Sequence, residues 1–231
     1  MHAQGNDFVV LDAIHHTMPP LTQQVIKDLA ERRYGIGCDQ VLRLCPDANN
    51  DARMLIFNTD GSEAINCGNG LRCAADLLMR RMGKDHVSIA LEDRDIMATY
   101  TEHGVRVCMG SAAVLNACET HMDINIGNAH RVVFQCQGQE AFPRDRNIEI
   151  ITGHILDHVY IDIIERGVGP TRACGSGACA TAIAVWQRDN HARPLTIEMP
   201  GGVVFVSRID DDIYLEGSVT VVFSGNYGTL I

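Results

Sequence analysis

Lysine is nearly missing: the 231 residues hold two, Lys27 and Lys84. So few amines leave little choice for a Schiff base to pyridoxal phosphate, and neither lysine adjoins a glycine loop able to cradle a phosphate. Positive charge is scarce altogether, since 19 Lys and Arg face 29 Asp and Glu for a formal net charge of −10. Without a basic stripe, nucleic acid and an anionic membrane are excluded as electrostatic partners, and a small polar substrate fits better. No apolar run reaches membrane-spanning length. The start, Met1-His2-Ala3-Gln4-Gly5, has neither the basic nor the apolar region of a secretory signal. Cys-x-x-Cys is absent, and the nine cysteines are irregularly spread, which favours reduced thiols in a cytoplasm over disulfides, a zinc site or a redox motif. Most read as small core residues. A hydrophobic fraction of 46% with 21% charged residues is that of an ordinary globular protein.

What is present is a repeat. Cys67-Gly68-Asn69-Gly70-Leu71-Arg72-Cys73-Ala74 returns as Cys174-Gly175-Ser176-Gly177-Ala178-Cys179-Ala180, 107 residues on. The same offset carries Asn58 onto Glu165 and Gly110-Ser111 onto Gly217-Ser218. Two unrelated motifs would rarely hold one register, so the chain reads as an internal duplication. The expected halves are 1–112 and 113–231, with the last strand placed to return to the first half.

Apolar spacing from Leu21 to Arg33 predicts an amphipathic helix with Gly35 as its C-cap. Further helices are expected from Gly68 to Met82 and from Gly175 to about Arg188. Strands are expected at 8–12, 41–44, 54–57, 87–91, 96–101, 105–109, 159–164, 195–199, 203–209 and 213–216. Gly127-Asn128-Ala129-His130 echoes Gly5-Asn6-Asp7-Phe8, which puts His130 in the position of Phe8. The implied fold class is α+β: two similar halves, each a central helix wrapped by mostly antiparallel strands, with glycine-led helix starts facing one another across a cleft.

A cysteine at a helix start meets unpaired N–H groups and the positive end of the helix dipole, which should make its thiolate easier to form. Cys67 and Cys174 both qualify. The N–H groups of Gly68, Asn69, Gly175 and Ser176 are placed to hold a carboxylate, because glycine lets a ligand approach the backbone closely. One acid/base on either side of a bound α-carboxylate is what inversion at a carbon requires: a thiolate takes a proton from one face and a thiol returns one to the other. A cysteine before glycine is by itself as well explained as a core residue, and the repeat tips the balance. Cys73 and Cys179, further into their helices among alanines, read as core.

These motifs resemble the diaminopimelate epimerase family, within the cofactor-independent amino-acid racemases. The similarity runs almost from end to end through Gly5-Asn6-Asp7-Phe8, Gly35-Ile36-Gly37-Cys38-Asp39-Gln40, Phe57-Asn58-Thr59-Asp60-Gly61-Ser62, Cys67-Gly68-Asn69-Gly70, Gly127-Asn128-Ala129-His130, Glu165-Arg166-Gly167 and Ala173-Cys174-Gly175-Ser176-Gly177. The resemblance implies a pseudo-twofold fold, a cytoplasmic homodimer without cofactor or metal, and an active site between the halves. It implies that Cys67 and Cys174 are the acid/base thiols assisted by His130 and Glu165. It further implies that Asn6, Asn58, Asn128, Asn147 and Arg166 bind the distal amino-acid end of the substrate, with Gln40 lining the site. A guanidinium such as that of Arg166 can meet a carboxylate in a two-pronged bond. The chain departs from the family at Ala3, where glycine is common, at Ala129, where proline is, and at Pro170, where an acid is. It is also shorter between Phe134 and Asn147, where Phe142-Pro143 followed shortly by Asn147 is what matches the family. Two other readings remain open: a racemase of another amino acid with the same mechanism, and a thiol redox or metal-binding protein.

Overall fold

The computed structural model describes residues 1–134 and 142–227. The first half runs β1 (His2–Ala3), β2 (Asn6–Asp12), α1 (Gln23–Ala30), β3 (Gln40–Cys45), β4 (Ala52–Asn58), β5 (Glu63–Ala64), α2 (Gly68–Met82), β6 (His86–Ala90), β7 (Asp95–Thr101) and β8 (Gly104–Gly110). The second half runs β9 (Ala113–Ala117), β10 (His121–Asn125), β11 (Ala129–Val133), β12 (Asn147–Ile155), β13 (His158–Glu165), β14 (Gly169–Pro170), α3 (Gly175–Asp189), β15 (Leu195–Met199), β16 (Gly202–Ile209) and β17 (Asp212–Gly217).

The duplication is visible strand by strand. In the first half β2 pairs with β3 in parallel, β3 with β4 antiparallel, β4 with β6 in parallel, and β6, β7 and β8 follow antiparallel. In the second half β11–β12, β12–β13, β13–β15 and β15–β16–β17 repeat that order and those directions. Helices α2 and α3 each lie between the strands joined by their half's second parallel pairing, and α1 between β2 and β3, joined by the first, the usual way to connect parallel neighbours. The halves share backbone hydrogen bonds, because β17 pairs antiparallel with β8 and Thr220 bridges back to His2.

Strand faces alternate as expected for one buried side: Val105, Val107 and Met109 of β8 point inward while their neighbours are partly exposed. Those inward residues join α2 and one face of α3 in an apolar cluster that includes Leu71, Leu78, Ala178, Val185 and Leu215, while Ala180 and Ala184 of α3 pack with Met122, Ile124 and Val132 in another. Burying a side chain such as Leu78 contributes roughly 1.5–3 kcal/mol. The second helix ends at Gly83, whose φ of 64° glycine adopts without strain, and its N–H closes on the Met79 carbonyl. The third ends at Asn190, likewise left-handed at φ 51°, closing on Trp186.

The first helix is shorter than the expected span from Leu21 to Arg33. Thr22 caps it, its Oγ1 accepting the Val25 N–H at 3.3 Å, and Glu31 rather than Gly35 ends it. Glu31 turns extended and its carboxylate accepts the N–H groups of Arg33 and Tyr34, so the chain leaves the helical path there. Strand β9 carries no alternation to be read from sequence, since all five residues of Ala113–Ala117 are exposed, and β10, whose Met122 and Ile124 alternate with polar residues, also lies outside the expected strands.

Candidate active site

Cys67 and Cys174 occupy the N-cap positions of α2 and α3 with extended backbones. Each sulfur accepts the N–H three residues on, from Gly70 at 3.3 Å and from Gly177 at 3.4 Å. The two helix starts touch. A Cβ added at Gly175 would lie 3.4 Å from the Asn69 nitrogen and 2.9 Å from its Oδ1, so glycine is required for this approach. At Gly68 a Cβ would sit 2.9 Å from the Met109 methyl.

Around Cys174 the second half gathers polar side chains. His130 and Glu149 are both fully buried, and the His130 Nδ1 lies 2.8 Å from the Glu149 Oε1. The other ring nitrogen faces the Asn128 Oδ1 at 2.9 Å. Both ring nitrogens thus have an oxygen at hydrogen-bond distance. The Asn147 Nδ2 approaches the Cys174 sulfur at 4.0 Å, while its Oδ1 accepts the Arg166 N–H at 2.9 Å. Ser176 Oγ lies 3.5 Å from the same sulfur. Donor atoms of His130, Glu149 and Cys174 fall within 4.8 Å of one another. At 2.8 Å the histidine and the acid are at hydrogen-bond distance, and we read the three as an acid–base group.

Electrostatics at the sulfurs differ from the sequence expectation. Burial pushes the Cys67 thiol up to about 12; the Gly70 N–H pulls it down, the Glu165 charge pushes it further up, and the Arg72 charge opposes. Cys174 is raised well above the ordinary thiol value, by burial first and then by the charges of Glu165 and Glu149. Helix-start N–H groups do favour the thiolate, but desolvation in this site is the larger effect. Glu165 is itself raised by burial, against the Thr171 hydroxyl that donates to its Oε1 at 2.7 Å.

The diaminopimelate epimerase family model matches residues 1–115 and 122–222. The chain belongs to the diaminopimelate epimerase family. A diaminopimelate epimerase of Erythrobacter litoralis is 35% identical, across 98% of this chain and 95% of that one. One from Desulforudis audaxviator is 32% identical, across 98% and 97%. The fold is also similar to the Bacillus anthracis phenazine biosynthesis protein of the PhzF family (TM-score 0.68, 16% identity, covering 94% and 92% of the two chains). A probable proline racemase from Agrobacterium radiobacter shares it too (TM-score 0.66, 12% identity, 96% and 92%).

The candidate site residues fall into linked groups. His130, Asn128, Asn147, Glu165, Arg166, Gly175 and Ser176 cluster about Cys174, and the Glu165 charge acts on both sulfurs. Strand register supports the pairing of halves: Phe8 aligns with Gln40 as His130 aligns with Asn147. In the first half Gln40 Nε2 donates to Asn58 Oδ1 at 3.0 Å, and Asn58 Nδ2 to Ser62 Oγ at 3.0 Å. Asn6 holds Asp39 at 2.8 Å and receives the Asn69 Nδ2 at 3.2 Å. The Asn69 side chain is committed inward, 2% exposed, so its part toward a ligand is confined to its backbone. Arg166 is exposed, with Nη1 3.4 Å from the Asp145 carbonyl. Cys73 and Cys179 are fully buried core residues.

Sequence reasoning missed Glu149. The signal was available in the alternation of β12, since residues two apart share a face and Asn147 was already a candidate. A Cβ at Gly177 would collide with the Glu149 carboxylate, so the glycine in the first turn of α3 admits this acid.

Proposed function

We propose that the chain interconverts the LL and meso forms of diaminopimelate by a cofactor-independent, two-base mechanism. The observation that carries this reading is the matched pair of N-cap cysteines on two helix starts that abut. A substrate α-carboxylate at the first-turn N–H groups of Gly68, Asn69, Gly175 and Ser176 would set its α-carbon between the sulfurs. One sulfur, as thiolate, takes the α-proton; the other, as thiol, returns a proton to the opposite face. The charge that develops is held by the same N–H groups and dipoles. His130 and Glu165 assist by moving charge next to the sulfurs. Asn6, Gln40, Asn58, Asn128, Asn147 and Arg166 receive the distal amino-acid end, whose second carboxylate suits the Arg166 guanidinium.

Neither lysine favours a cofactor route: Lys27 lies on α1 and Lys84 is engaged by Asp51 Oδ1 at 2.6 Å. We read the molecule as two halves, 1–112 and 113–231, supported by β8 ending at Gly110 and β9 pairing with β10. A cytoplasmic homodimer serving lysine and cell-wall precursor synthesis completes the proposal. The exposed run Val221-Val222-Phe223 supports a covering partner surface. No helix among the described residues is long and apolar enough to cross a membrane.

The test is turnover of LL-diaminopimelate in deuterium oxide. We expect meso product carrying one solvent deuterium at the inverted carbon, while recovered substrate stays mainly unlabelled early in the reaction. Strong turnover of proline or histidine with none of diaminopimelate would sink the proposal in favour of another racemase.

A further inference from the structure

The duplication lets the two thiols be compared position by position. The offset of 107 residues that carries Cys67 onto Cys174 also carries Leu42 onto Glu149 and Arg72 onto Cys179. Strand register carries Phe8 onto His130. The second half therefore presents an acid and a histidine where the first presents Leu42 and Phe8, and the first half alone has a guanidinium where the second has a thiol. Leu42 packs on Gly70 as Glu149 does on Gly177, so the correspondence holds in space as well as in sequence.

Arg72 is fully buried. Its Nη2 donates to Gln4 Oε1 at 2.8 Å and to Asn69 Oδ1 at 2.6 Å. Its Nε and Nη1 have no acceptor among the described residues, and no carboxylate there pairs with it. A fold gains nothing in stability from such a group, because desolvating a charge without a counter-ion is among the costliest arrangements a core can hold. Room is kept for it deliberately: a Cβ at Gly217 would fall on Nη1. Burial lowers its pKa to about 10, which still leaves it protonated at neutral pH.

The sulfurs whose charges bear on this cation are, in decreasing order, those of Cys73, Cys179 and Cys67, and the guanidinium is bonded directly to Asn69 in the first turn that Cys67 caps. Cys73 and Cys179 lie deep in the core, whereas Cys67 is partly exposed at the helix start. Facing Cys67 in turn are the Glu165 carboxylate, which opposes a thiolate, and the Gly70 and Asn69 N–H groups and Arg72, which favour one. Asn69 also ties the guanidinium to both halves through Asn6 at 3.2 Å and the Ala173 carbonyl at 3.4 Å.

We propose that Arg72 is a positioning residue that makes negative charge tolerable at Cys67, acting from beneath the first turn of α2 while fixing Asn69 between the two helix starts. Among the described residues no arginine bears on Cys174, which has the Glu149 and Glu165 charges and the His130 ring beside it instead. This rests on the reading of Cys67 as an acid/base thiol, and it makes the two chemically matched cysteines electrostatically unlike.

The test is alkylation by iodoacetamide from pH 7 to 10, with Cys67 and Cys174 quantified separately by peptide mass spectrometry. It is run on the wild type, Arg72→Met, Arg72→Lys and Gly217→Ala. Because one pKa unit is a factor of ten in thiolate, Arg72→Met should slow Cys67 about tenfold relative to Cys174 at fixed pH. Lysine should restore most of the rate. Gly217→Ala, which displaces the guanidinium without deleting it, should give a smaller fall in the same direction, and decides the matter if the methionine variant does not fold. Loss of packing alone would expose both sulfurs and speed both. Rates that change together at the two cysteines, or a Cys67 rate unmoved in the folded variants, overturn the proposal. Thiol titration needs no substrate, so a wild type that fails to turn over diaminopimelate refutes the proposed function and leaves this result standing.

Discussion

At Cys67 two effects act on one sulfur, and their sizes decide its chemistry. The Gly70 N–H and the Arg72 charge favour the thiolate, yet burial pushes the thiol up to about 12. The thiolate is therefore rare at neutral pH. We expect alkylation of Cys67 to be slow at pH 7 and to rise about tenfold per pH unit well beyond pH 9. Cys67→Ala and Cys174→Ala should each abolish epimerisation, as measured by chiral chromatography. Cys73→Ala and Cys179→Ala should leave turnover nearly intact and cost about 1 kcal/mol in a denaturant melt, because they remove one buried atom each. If both N-cap alanine variants keep full turnover, the two-thiol mechanism is wrong. Glu149→Gln keeps an acceptor for His130 but removes a charge that raises Cys174. The sign follows: Cys174 alkylation should speed up, while turnover falls about 10- to 100-fold with loss of the acid–base group. Unchanged kinetics would reduce Glu149 to packing.

The helices α2 and α3 could be read in the sequence almost to the residue, because each carries a cysteine cap, small residues that permit close approach, and a left-handed closing residue at Gly83 or Asn190. The first helix was legible only in type. Its apolar residues stop at Leu29 and Ala30, so nothing apolar holds the expected last turn to Arg33, and Glu31 instead satisfies two backbone N–H groups with its own carboxylate. Pairing partners were less legible than strands, since β13–β15 and β4–β6 join residues far apart and only the duplication hints at them. Of the site, the cysteines were visible as a repeated motif, whereas Glu149 sits in an apolar run and declares itself only when β12 is placed against α3. That packing gives an element-level test. Gly177→Ala must move the Glu149 side chain, whose Cδ would lie 3.0 Å from the new methyl. We expect a loss of roughly 1–3 kcal/mol, typical of overpacking, with a fall in turnover that Glu149→Gln in the same chain does not deepen. Additive losses would show that the glycine serves α3 alone.

Two halves built on one plan need not unfold separately. Here β17 of the second half pairs with β8 of the first, His2 bridges Thr220, and both helices pack in one apolar cluster. Cutting the chain at 112 would bare the β8 edge and one side of that cluster, so each half depends on the other for its core. Trp186, the single tryptophan, lies in α3, 5% exposed, with its indole N–H donating to the Arg193 carbonyl at 2.7 Å. Its fluorescence reports the second half, while far-ultraviolet dichroism reports the whole. We expect the two urea transitions to coincide. Alkali should weaken the same cooperative unit. Cys67, Cys73 and Cys179 are each raised from an ordinary value of 9.0 to about 12, by burial first, and Cys174 is raised in the same direction. A group whose folded pKa lies above its unfolded one contributes stability that is fully present below pH 9 and lost as pH rises toward 12. The urea midpoint should accordingly fall between pH 9 and pH 11, with both probes still moving together. Cys73→Ala with Cys179→Ala should flatten that fall. A tryptophan transition that separates from the dichroism in alkali would mean that the β8–β17 ladder does not bind the halves into one unit.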